Sequence, residues 1–415
     1  MERFIGLIGV VVLLGIAWAF SKNRKAINYK TIGAGLGLQI GFAILVLKTP
    51  WGRKFFEVMN GVIVKLLSFS DEGSRFVFGS LVTNDPPLGF IFAVRVLPTI
   101  IFVSSIMGVL YYLGIMQKVV LVFAKIMAKV MGTSGAESLS ASANIFVGQT
   151  EAPLVVRPYV LRMTNSELLA IMTGGMATIS GGIMAAYVGL LVQYMPDIAG
   201  HLLAASIMAA PAGLVMAKIL VPETETPETR GIVKMNLEIT DANVIDAAAN
   251  GSGVGMQLAI NVAACLIAFM AILAMANFLI GYGAGFFGVE GLTLEKIFGW
   301  IFSPLAWVMG VPSQDVQQVA TWMGQKTAIN EFVAFLDMAT FLKNNPGGVS
   351  PKALTIASYA VCGFANFLSI AIQIGGIGAM APERRHDLAK LGLYALLAAS
   401  LAGFLSATIA GILIG

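Results

Sequence analysis

The chain has 415 residues, of which 57% are hydrophobic and 12% are charged, and its mean hydropathy is +0.84. This composition is too apolar and too weakly charged for a soluble domain, so it indicates a protein surrounded by lipid. The net charge of +4 does not indicate nucleic-acid binding, because the Lys and Arg residues lie at the ends of apolar runs instead of in one basic patch.

Eight segments are long and apolar enough to cross a bilayer, which requires about 20 mostly apolar residues. The first of them lacks the cleavage pattern of a signal peptide and is therefore interpreted as a span. The predicted spans are residues 3–20, 31–49, 90–116, 165–195, 201–220, 254–283, 353–379 and 388–414.

The distribution of basic residues predicts the orientation of these spans. The loop after the first span carries four basic residues between positions 22 and 30, whereas the connection near 196–201 contains Asp197 and no Lys or Arg. Cytoplasmic loops carry an excess of Lys and Arg, so the first loop is expected inside. The alternation of spans then places both chain termini outside.

Two polar stretches interrupt the spans. Residues 50–89 mix basic residues with Trp51 and Phe55, and they are predicted to form a loop that lies partly at the outer membrane interface. Residues 222–252 contain two prolines and several carboxylates, and they are predicted to be a cytoplasmic linker between two halves of the chain.

Two further segments, 138–160 and 313–342, embed clustered polar side chains in apolar sequence. Non-helical backbone at membrane depth is tolerated only where protein or water covers it, so each segment is predicted to be a re-entrant hairpin around a cavity. An amphipathic stretch precedes each hairpin, at 117–132 and at 293–311, and a Gly-rich span follows it.

This order of elements indicates an internal repeat. The segment TGGMATISGGI at 173–183 aligns loosely with CGFANFLSIAI at 362–372, with Ala177 opposite Asn366. Three predicted spans separate the hairpins, and an odd number turns the two copies to opposite sides of the membrane. Inverted repeats are typical of alternating-access transporters. The predicted fold is an all-α integral membrane protein with eight transmembrane helices and two re-entrant hairpins.

Each hairpin carries one glutamate, Glu151 in the first and Glu331 in the second. A carboxylate at the centre of a bilayer costs about 2.5–3.5 kcal/mol on insertion scales and usually marks a functional site. The alternative is that these carboxylates form ion pairs with Lys326, Arg157 or Arg95 and only hold helices together.

The side chains around the carboxylates predict the class of substrate. Hydrogen-bonding groups between apolar walls suit a neutral, polyhydroxylated, partly flat solute. An organic anion would meet two like charges and no intramembrane Arg cluster. The predicted site comprises Glu151 and Glu331 as acceptors, Gln149, Thr150, Asn366 and Ser369 as two-way partners, and Phe146, Ile183 and Phe364 as walls.

The helix breaks also offer oxygen atoms to a monovalent cation. Backbone carbonyls near Asn144 and Val147, and near Thr178 and Ile179, would combine with the side-chain oxygens of Asn144 and Thr178 in an all-oxygen shell. These residues predict a sodium site. The alternative for Asn144 and Thr178 is hydrogen bonding between helices.

Cysteine and histidine chemistry is not expected. Cys265 and Cys362 lie in apolar segments without CxxC spacing, so neither a disulfide framework nor a thiolate metal site is indicated. His201 and His386 form no HExxH pair and lie near polar loops, which argues against a histidine metal site or a catalytic triad. No cofactor is expected beyond the coupling ion.

Four segments resemble the concentrative nucleoside transporter family, in its shorter bacterial form with eight spans and two hairpins. The resemblance covers essentially the whole chain, and the combination of GQTEAP, NEF and an ANxxS-type segment is specific. The segments are NIFVGQTEAPLVVRP at 144–158, GGMATISGG at 174–182, KTAINEFVAF at 326–335 and CGFANFLSIAIQIGG at 362–376.

The resemblance implies roles for the site residues and sodium-coupled nucleoside import. Some family members use protons, so proton-coupled symport stays an alternative. By the family pattern, Gln149, Thr150, Glu151 and Ile183 would face the nucleobase, Glu331, Asn366, Ser369 and Phe364 would surround the ribose, and Asn144, Val147, Thr178 and Ile179 would hold sodium.

The resemblance further implies a homotrimer in a bacterial inner membrane, in which a transport domain moves like an elevator against a fixed scaffold. The expected scaffold comprises residues 1–116 and 254–292, and the expected transport domain comprises 133–220 and 313–415. The connecting segments are an interfacial helix at 117–132, the cytoplasmic linker at 221–253 and an external amphipathic helix at 293–312.

Three other classes are left open by the residues alone. A channel would show flux without saturation or accumulation. An intramembrane hydrolase would need Ser140 or Ser142 as nucleophile, but the chain has no GxSxG motif. Carriers of organic anions, amino acids or other neutral polar solutes would be separated by competition with labelled uridine.

Overall fold

Helices form all the regular secondary structure of the computed structural model, which describes residues 2–82, 91–234 and 241–414. The predicted all-α class is therefore confirmed. The helices are α1 (Glu2–Ala19), α2 (Tyr29–Lys48), α3 (Pro50–Phe78), α4 (Phe92–Arg95), α5 (Leu97–Tyr112), α6 (Ile115–Met131), α7 (Gly135–Ala143), α8 (Arg157–Val160), α9 (Asn165–Ala177), α10 (Gly181–Leu191), α11 (Ile198–Leu220), α12 (Val244–Gly285), α13 (Leu294–Val308), α14 (Val316–Ala328), α15 (Glu331–Asn344), α16 (Pro351–Val361), α17 (Phe367–Met380) and α18 (Arg385–Ile414).

Six helical segments within the described residues are long and apolar enough to cross a membrane. Two shorter apolar helices, Phe4–Ala19 and Phe367–Met380, lie in the first and seventh predicted spans. The number of eight spans stays a prediction, because length and composition alone select six. The six are Tyr29–Lys48, Ala93–Tyr112, Asn165–Leu191, Ile198–Leu220, Val244–Gly285 and Pro382–Ile414.

The predicted loop at 50–89 is wrong over most of its length, because α3 is a helix of 29 residues. Thr49 caps its start by accepting a hydrogen bond from Gly52 N at 2.9 Å, and Pro50 occupies the first helical position. Charged residues on one face lower the mean hydropathy of α3 below that of a membrane span. Residues 83–90, including the first residue of the predicted third span, lie outside the described part.

The predicted linker at 222–252 is also too long. Asn243 caps α12 by accepting hydrogen bonds from Ile245 N and Asp246 N, so the helix begins at Val244 and runs for 42 residues. The polar first turns of α12 resemble a linker by composition, but the Asn cap starts a helix there. Residues 235–240 of the linker lie outside the described residues.

Two helices are broken at corresponding places in the two halves. The first break separates α9 from α10 at residues 178–180, and the second separates α16 from α17 at residues 362–366. The breaks meet where Gly363 adopts a φ of +104°, and a Cβ at this position would lie 2.6 Å from the Ala177 carbonyl oxygen. Only glycine allows this conformation together with this close backbone approach.

The two breaks fit the predicted repeat, which stays a prediction, but their register differs from the predicted alignment. Ser180 precedes α10 and Asn366 precedes α17, both with extended backbone, so Ser180 is the structural counterpart of Asn366. The predicted pairing with Ala177 is shifted by three residues. An alignment by hydropathy could not show that the second break is longer than the first.

The core of the protein lies around α11, which is buried along its whole span. Helices α9, α16 and α18 pack around it, and α1 and α2 pack against α18 and α11 from outside. Gln39 of α2 donates a buried hydrogen bond to Ser406 of α18 at 3.0 Å. Helix α12 packs mainly against α5 and exposes most of its surface. This arrangement leaves a cavity between α12 and the two hairpin turns.

Candidate substrate cavity

One cavity of about 310 Å³ lies between the turn after α7, the starts of α15 and α17, and one face of α12. All eight residues that the sequence predicts for substrate binding line this cavity. They are Gln149, Thr150, Glu151, Ile183, Glu331, Phe364, Asn366 and Ser369. Phe146, the other predicted wall residue, lines a neighbouring cavity instead.

Glu331 is held at the cavity by Tyr187 of α10 and by Asn366, which precedes α17. It is the first residue of α15, and the preceding Asn330 caps that helix by accepting a hydrogen bond from Val333 N at 2.9 Å. Its Oε1 accepts from Tyr187 Oη at 2.9 Å, and its Oε2 accepts from Asn366 Nδ2 at 2.9 Å. Only 6% of Glu331 is exposed, so these donors replace the water that a buried carboxylate requires.

Glu151 is held by its own turn. Its Oε2 accepts a hydrogen bond from Gly148 N at 2.6 Å, and the residue is exposed towards the cavity. A Cβ at Gly148 would lie 2.9 Å from Glu151 Oε2. A glycine at this position lets the carboxylate fold back onto the backbone amide.

The alternative that Glu151 and Glu331 pair with basic residues is not supported in the described part of the chain, where neither carboxylate forms an ion pair. Lys326 is fully buried and donates to the carbonyl oxygens of Ala360 at 2.9 Å and Cys362 at 3.3 Å. Both carboxylates thus remain available to a ligand in the cavity.

Gln149 joins the first hairpin to α17. Its Nε2 donates to Ser369 Oγ at 3.2 Å, and its Oε1 accepts from Gln373 Nε2 at 3.3 Å. Asn366 caps α17 by accepting from Ser369 N at 2.9 Å, while its own amide nitrogen holds Glu331. The side chains predicted for the base and for the ribose therefore belong to one hydrogen-bonded network.

The four residues predicted for sodium lie at the end of α7 and at the break after α9. Asn144 Nδ2 donates to the Ser140 carbonyl at 2.9 Å, and among the described residues Asn144 Oδ1 has no hydrogen-bond partner although it is buried. Thr178 Oγ1 donates to the Gly174 carbonyl at 3.0 Å, which leaves its lone pairs free. A Cβ at Gly174 would lie 3.4 Å from Asn144 Nδ2, so the two elements are in contact.

The backbone around this point is also suited to a cation. Gly181 N donates to the Phe146 carbonyl at 3.0 Å and ties the hairpin turn to the start of α10. In the described part of the chain, no backbone amide donates to the carbonyl oxygens of Val147 or Ile179. A buried amide oxygen without a partner beside free carbonyls fits a hard monovalent cation. No group of three or more His, Cys, Asp or Glu residues there could hold a metal ion.

Several residues of this region lie outside the set predicted from the sequence. Tyr187 lies inside an apolar span, and Gln373 lies four residues after Ser369 in another. A buried tyrosine hydroxyl or glutamine amide needs a hydrogen-bond partner. This requirement is the feature of the sequence that could have indicated polar contacts at Tyr187 and Gln373. Leu258 and Asn261 of α12 also line the cavity, but nothing in the sequence of that span distinguishes them.

A second cavity of about 330 Å³ adjoins the first and shares Glu151, Ser180 and Leu258 with it. It extends to Asp241 and Asn250 at the start of α12. The substrate cavity is thus continued towards the end of α12 that is expected to face the cytoplasm. Of the two cysteines, Cys362 is buried and free, and the side chain of Cys265 lies outside the described part.

Family models match three parts of the chain. Residues 8–81 match the model described as Na+ dependent nucleoside transporter N-terminus, and residues 201–411 match the model described as Na+ dependent nucleoside transporter C-terminus. Residues 93–194 match the model described as nucleoside recognition, or gate.

Curated relatives and solved structures agree with these matches. The nucleoside permease NupC of Helicobacter pylori is 41% identical over 100% of this chain and 98% of its own length. The mouse sodium/nucleoside cotransporter 1 is 38% identical over 99% of this chain and 64% of its own length. CNTnw in an inward-facing substrate-bound state superposes with a TM-score of 0.93, at 46% identity over 100% of this chain and 98% of that one. A doubly substituted CNTnw in an outward-facing state gives the same identity, coverage and TM-score.

The matches cover the same segments that carry the cavity, including both hairpin turns and both helix breaks. Family members are nucleoside transporters and not enzymes. The chain therefore belongs to the concentrative nucleoside transporter family.

Proposed function

We propose that this protein is a secondary active symporter that imports nucleosides and draws its energy from a sodium gradient. One observation carries the proposal: two carboxylates from matching hairpins, without basic partners in the described residues, line a single cavity together with amide, hydroxyl and apolar side chains. A ribose ring offers hydroxyl donors to such carboxylates, and a nucleobase offers a flat edge and faces to amides and apolar walls.

We assign Glu331, Asn366 and Ser369 to the ribose hydroxyls, with Phe364 against the sugar. Glu331 is fixed by two donors that occupy one lone pair on each oxygen, so further lone pairs remain for hydroxyl groups. The base end is assigned to the turn residues Gln149, Thr150 and Glu151, with Ile183 as an apolar contact.

Sodium is proposed as the coupling ion, held by Asn144, Val147, Thr178 and Ile179. The buried Asn144 Oδ1, which has no hydrogen-bond partner in the part of the chain that the structure describes, supports this assignment, since such an oxygen is costly unless a donor or a cation reaches it. The mouse relative is a sodium/nucleoside cotransporter. Proton coupling is the second candidate, because protons serve as the coupling ion in some members of the family.

The proposed mechanism is an alternating-access elevator with eight spans, two re-entrant hairpins and three protomers, in a bacterial inner membrane with both termini outside. CNTnw has outward-facing and inward-facing states. Residues 133–220 and 313–415 would move against a scaffold of 1–116 and 254–292. The second cavity that leads from Glu151 to Asn250 supports an inward-facing state for the present structure.

Uptake into proteoliposomes tests this function. Purified protein is expected to accumulate labelled uridine against its concentration gradient when an inward sodium gradient is imposed. This uptake should saturate with uridine concentration, and it should be absent when choline replaces sodium. Uptake driven by a proton gradient in the absence of sodium would support the proton alternative. Flux that neither saturates nor accumulates would indicate a channel, and competition by organic anions or amino acids would indicate another carrier.

A further inference from the structure

Gln149 is held between two residues that lie one turn apart on α17. Its Nε2 donates to Ser369 Oγ at 3.2 Å, and its Oε1 accepts from Gln373 Nε2 at 3.3 Å. Residues four apart lie on the same face of a helix, so Ser369 and Gln373 together fix both ends of the Gln149 amide. Gln149 and Ser369 face the cavity, whereas Gln373 is fully buried behind them.

Helix α9 makes room for this contact with a glycine. A Cβ at Gly175 would lie 2.3 Å from Gln373 Nε2 and 3.1 Å from Gln149 Cβ. Any larger residue would displace both glutamines, so the arrangement depends on close packing of three elements. The orientation of the Gln149 amide is therefore coupled to that of the Gln373 amide, and Gln149 does not rotate independently in the cavity.

Gln373 Oε1 is buried and has no hydrogen-bond partner among the described residues. If both amides turn over, this oxygen accepts from Gln149 Nε2, and Gln149 Oε1 accepts from the Ser369 hydroxyl. Among the described residues, one polar atom of Gln373 lacks a partner in both directions of the hydrogen bonds. In the direction observed this atom is Oε1, and in the reversed direction it is Nε2. The number of hydrogen bonds is the same in both directions, so the network has no strong preference between them.

We propose that Ser369, Gln149 and Gln373 form a reversible hydrogen-bond relay, and that Gln373 is the positioning residue that lets the cavity accept a base edge of either kind, a hydrogen-bond acceptor or a donor. The proposal rests on the proposed function, in which Gln149 faces the nucleobase. In the direction seen in the structure, the second Gln149 N–H is a donor for a keto oxygen, as in uridine. In the reverse direction, Gln149 Oε1 has a lone pair for an exocyclic amino group, as in cytidine.

The isosteric change Gln373→Glu tests the relay. A carboxylate only accepts hydrogen bonds, so it holds the Gln149 amide nitrogen and turns the Gln149 oxygen towards Ser369 and the cavity. Equilibrium dissociation constants for uridine and cytidine are measured on purified protein in sodium. The preference for cytidine over uridine is expected to rise about tenfold relative to the wild type, which corresponds to about 1.4 kcal/mol.

Gln373→Met is the matched control, because it has a similar length and no hydrogen-bonding group. It is expected to weaken the binding of both nucleosides and to leave the ratio of their dissociation constants at the wild-type value. If the two variants, Gln373→Glu and Gln373→Met, keep saturable binding and show the same ratio of uridine to cytidine dissociation constants, the relay is overturned. A merely structural role for Gln373 would produce that result.

The wild type gives a second measurement that does not depend on a variant. A reversible relay requires uridine and cytidine to bind wild-type protein with dissociation constants that differ by less than tenfold. A larger discrimination overturns reversibility even if the Glu variant fails to fold. Absence of saturable binding of any nucleoside to the wild type would instead reject the proposed function, so the two failures are distinguishable.

Discussion

Tyr187 Oη donates a hydrogen bond to Glu331 Oε1 at 2.9 Å, although the two residues are 144 positions apart in sequence. The ring of Tyr187 stacks on Phe335, with centroids 4.4 Å apart, and so holds the hydroxyl in place. Tyr187 is fully buried and does not line the cavity. The orientation of the proposed ribose-binding carboxylate is therefore fixed from behind, by a residue that the ligand does not contact.

Tyr187→Phe is expected to weaken uridine binding by about ten- to a hundredfold, since a hydrogen bond to a charged group contributes roughly 1.5–3 kcal/mol. The stacking on Phe335 remains, but the buried Glu331 carboxylate loses a donor, so the thermal stability is also expected to fall. Tyr359→Phe is the matched control, because Tyr359 is buried and its hydroxyl has no partner among the described residues. Equal uridine affinity in the two variants would show that Tyr187 does not position Glu331.

Glu331→Gln is expected to abolish measurable uridine binding. The neutral amide loses the charge-assisted hydrogen bonds to the ribose hydroxyls, and its NH₂ group faces one of the two donors, Tyr187 or Asn366. Asp337→Asn is the control on the same helix, since Asp337 accepts from Trp322 Nε1 at 3.0 Å and does not line the cavity. Retained affinity in Glu331→Gln would contradict the ribose assignment.

Asn144→Ala is expected to raise the sodium concentration for half-maximal uptake at least several-fold, because it removes the buried Oδ1 that has no hydrogen-bond partner within the described ranges. The uridine affinity at saturating sodium should stay near the wild-type value. Ser140→Ala is the control on the preceding turn, and it also removes one candidate nucleophile of the hydrolase alternative. An unchanged sodium dependence in Asn144→Ala would move the ion site elsewhere.

Crosslinking tests which helices belong to the scaffold. The proposed scaffold includes α2 and the proposed transport domain includes α18, so the hydrogen bond between Gln39 and Ser406 must break during each cycle. A reversible crosslink between cysteines introduced at these two positions is expected to stop uridine uptake, and reduction should restore it. Full uptake with the crosslink in place would assign α1 and α2 to the moving domain.

Most of the cavity could be predicted from the sequence, because its polar side chains are unusual within apolar segments. Glu151, Glu331 and Asn366 are polar residues in apolar runs, and the bilayer makes such residues costly unless they serve a purpose. The helices around them were also predictable from hydropathy. All eight substrate candidates consequently line one cavity, although their roles in binding stay predictions.

The remaining features depend on local caps and on contacts between distant segments. The start of α12 and the helix at α3 were missed because an Asn or Thr cap, and not hydropathy, decides where those helices begin. Tyr187 and Gln373 were missed because their partners, Glu331 and Gln149, lie more than 140 residues away in sequence. Such pairs are visible only once the chain is folded.

The crossing of Gly363 over Ala177 brings main chain directly against main chain, with no side chain in between. Thr178 of the proposed ion site directly follows Ala177 at this contact. Asn366 of the proposed sugar site lies three residues after Gly363. Ion and sugar would thus be bound on either side of a single stiff contact. Communication between them would require no chain of intervening residues, since a small shift of one segment must displace the other.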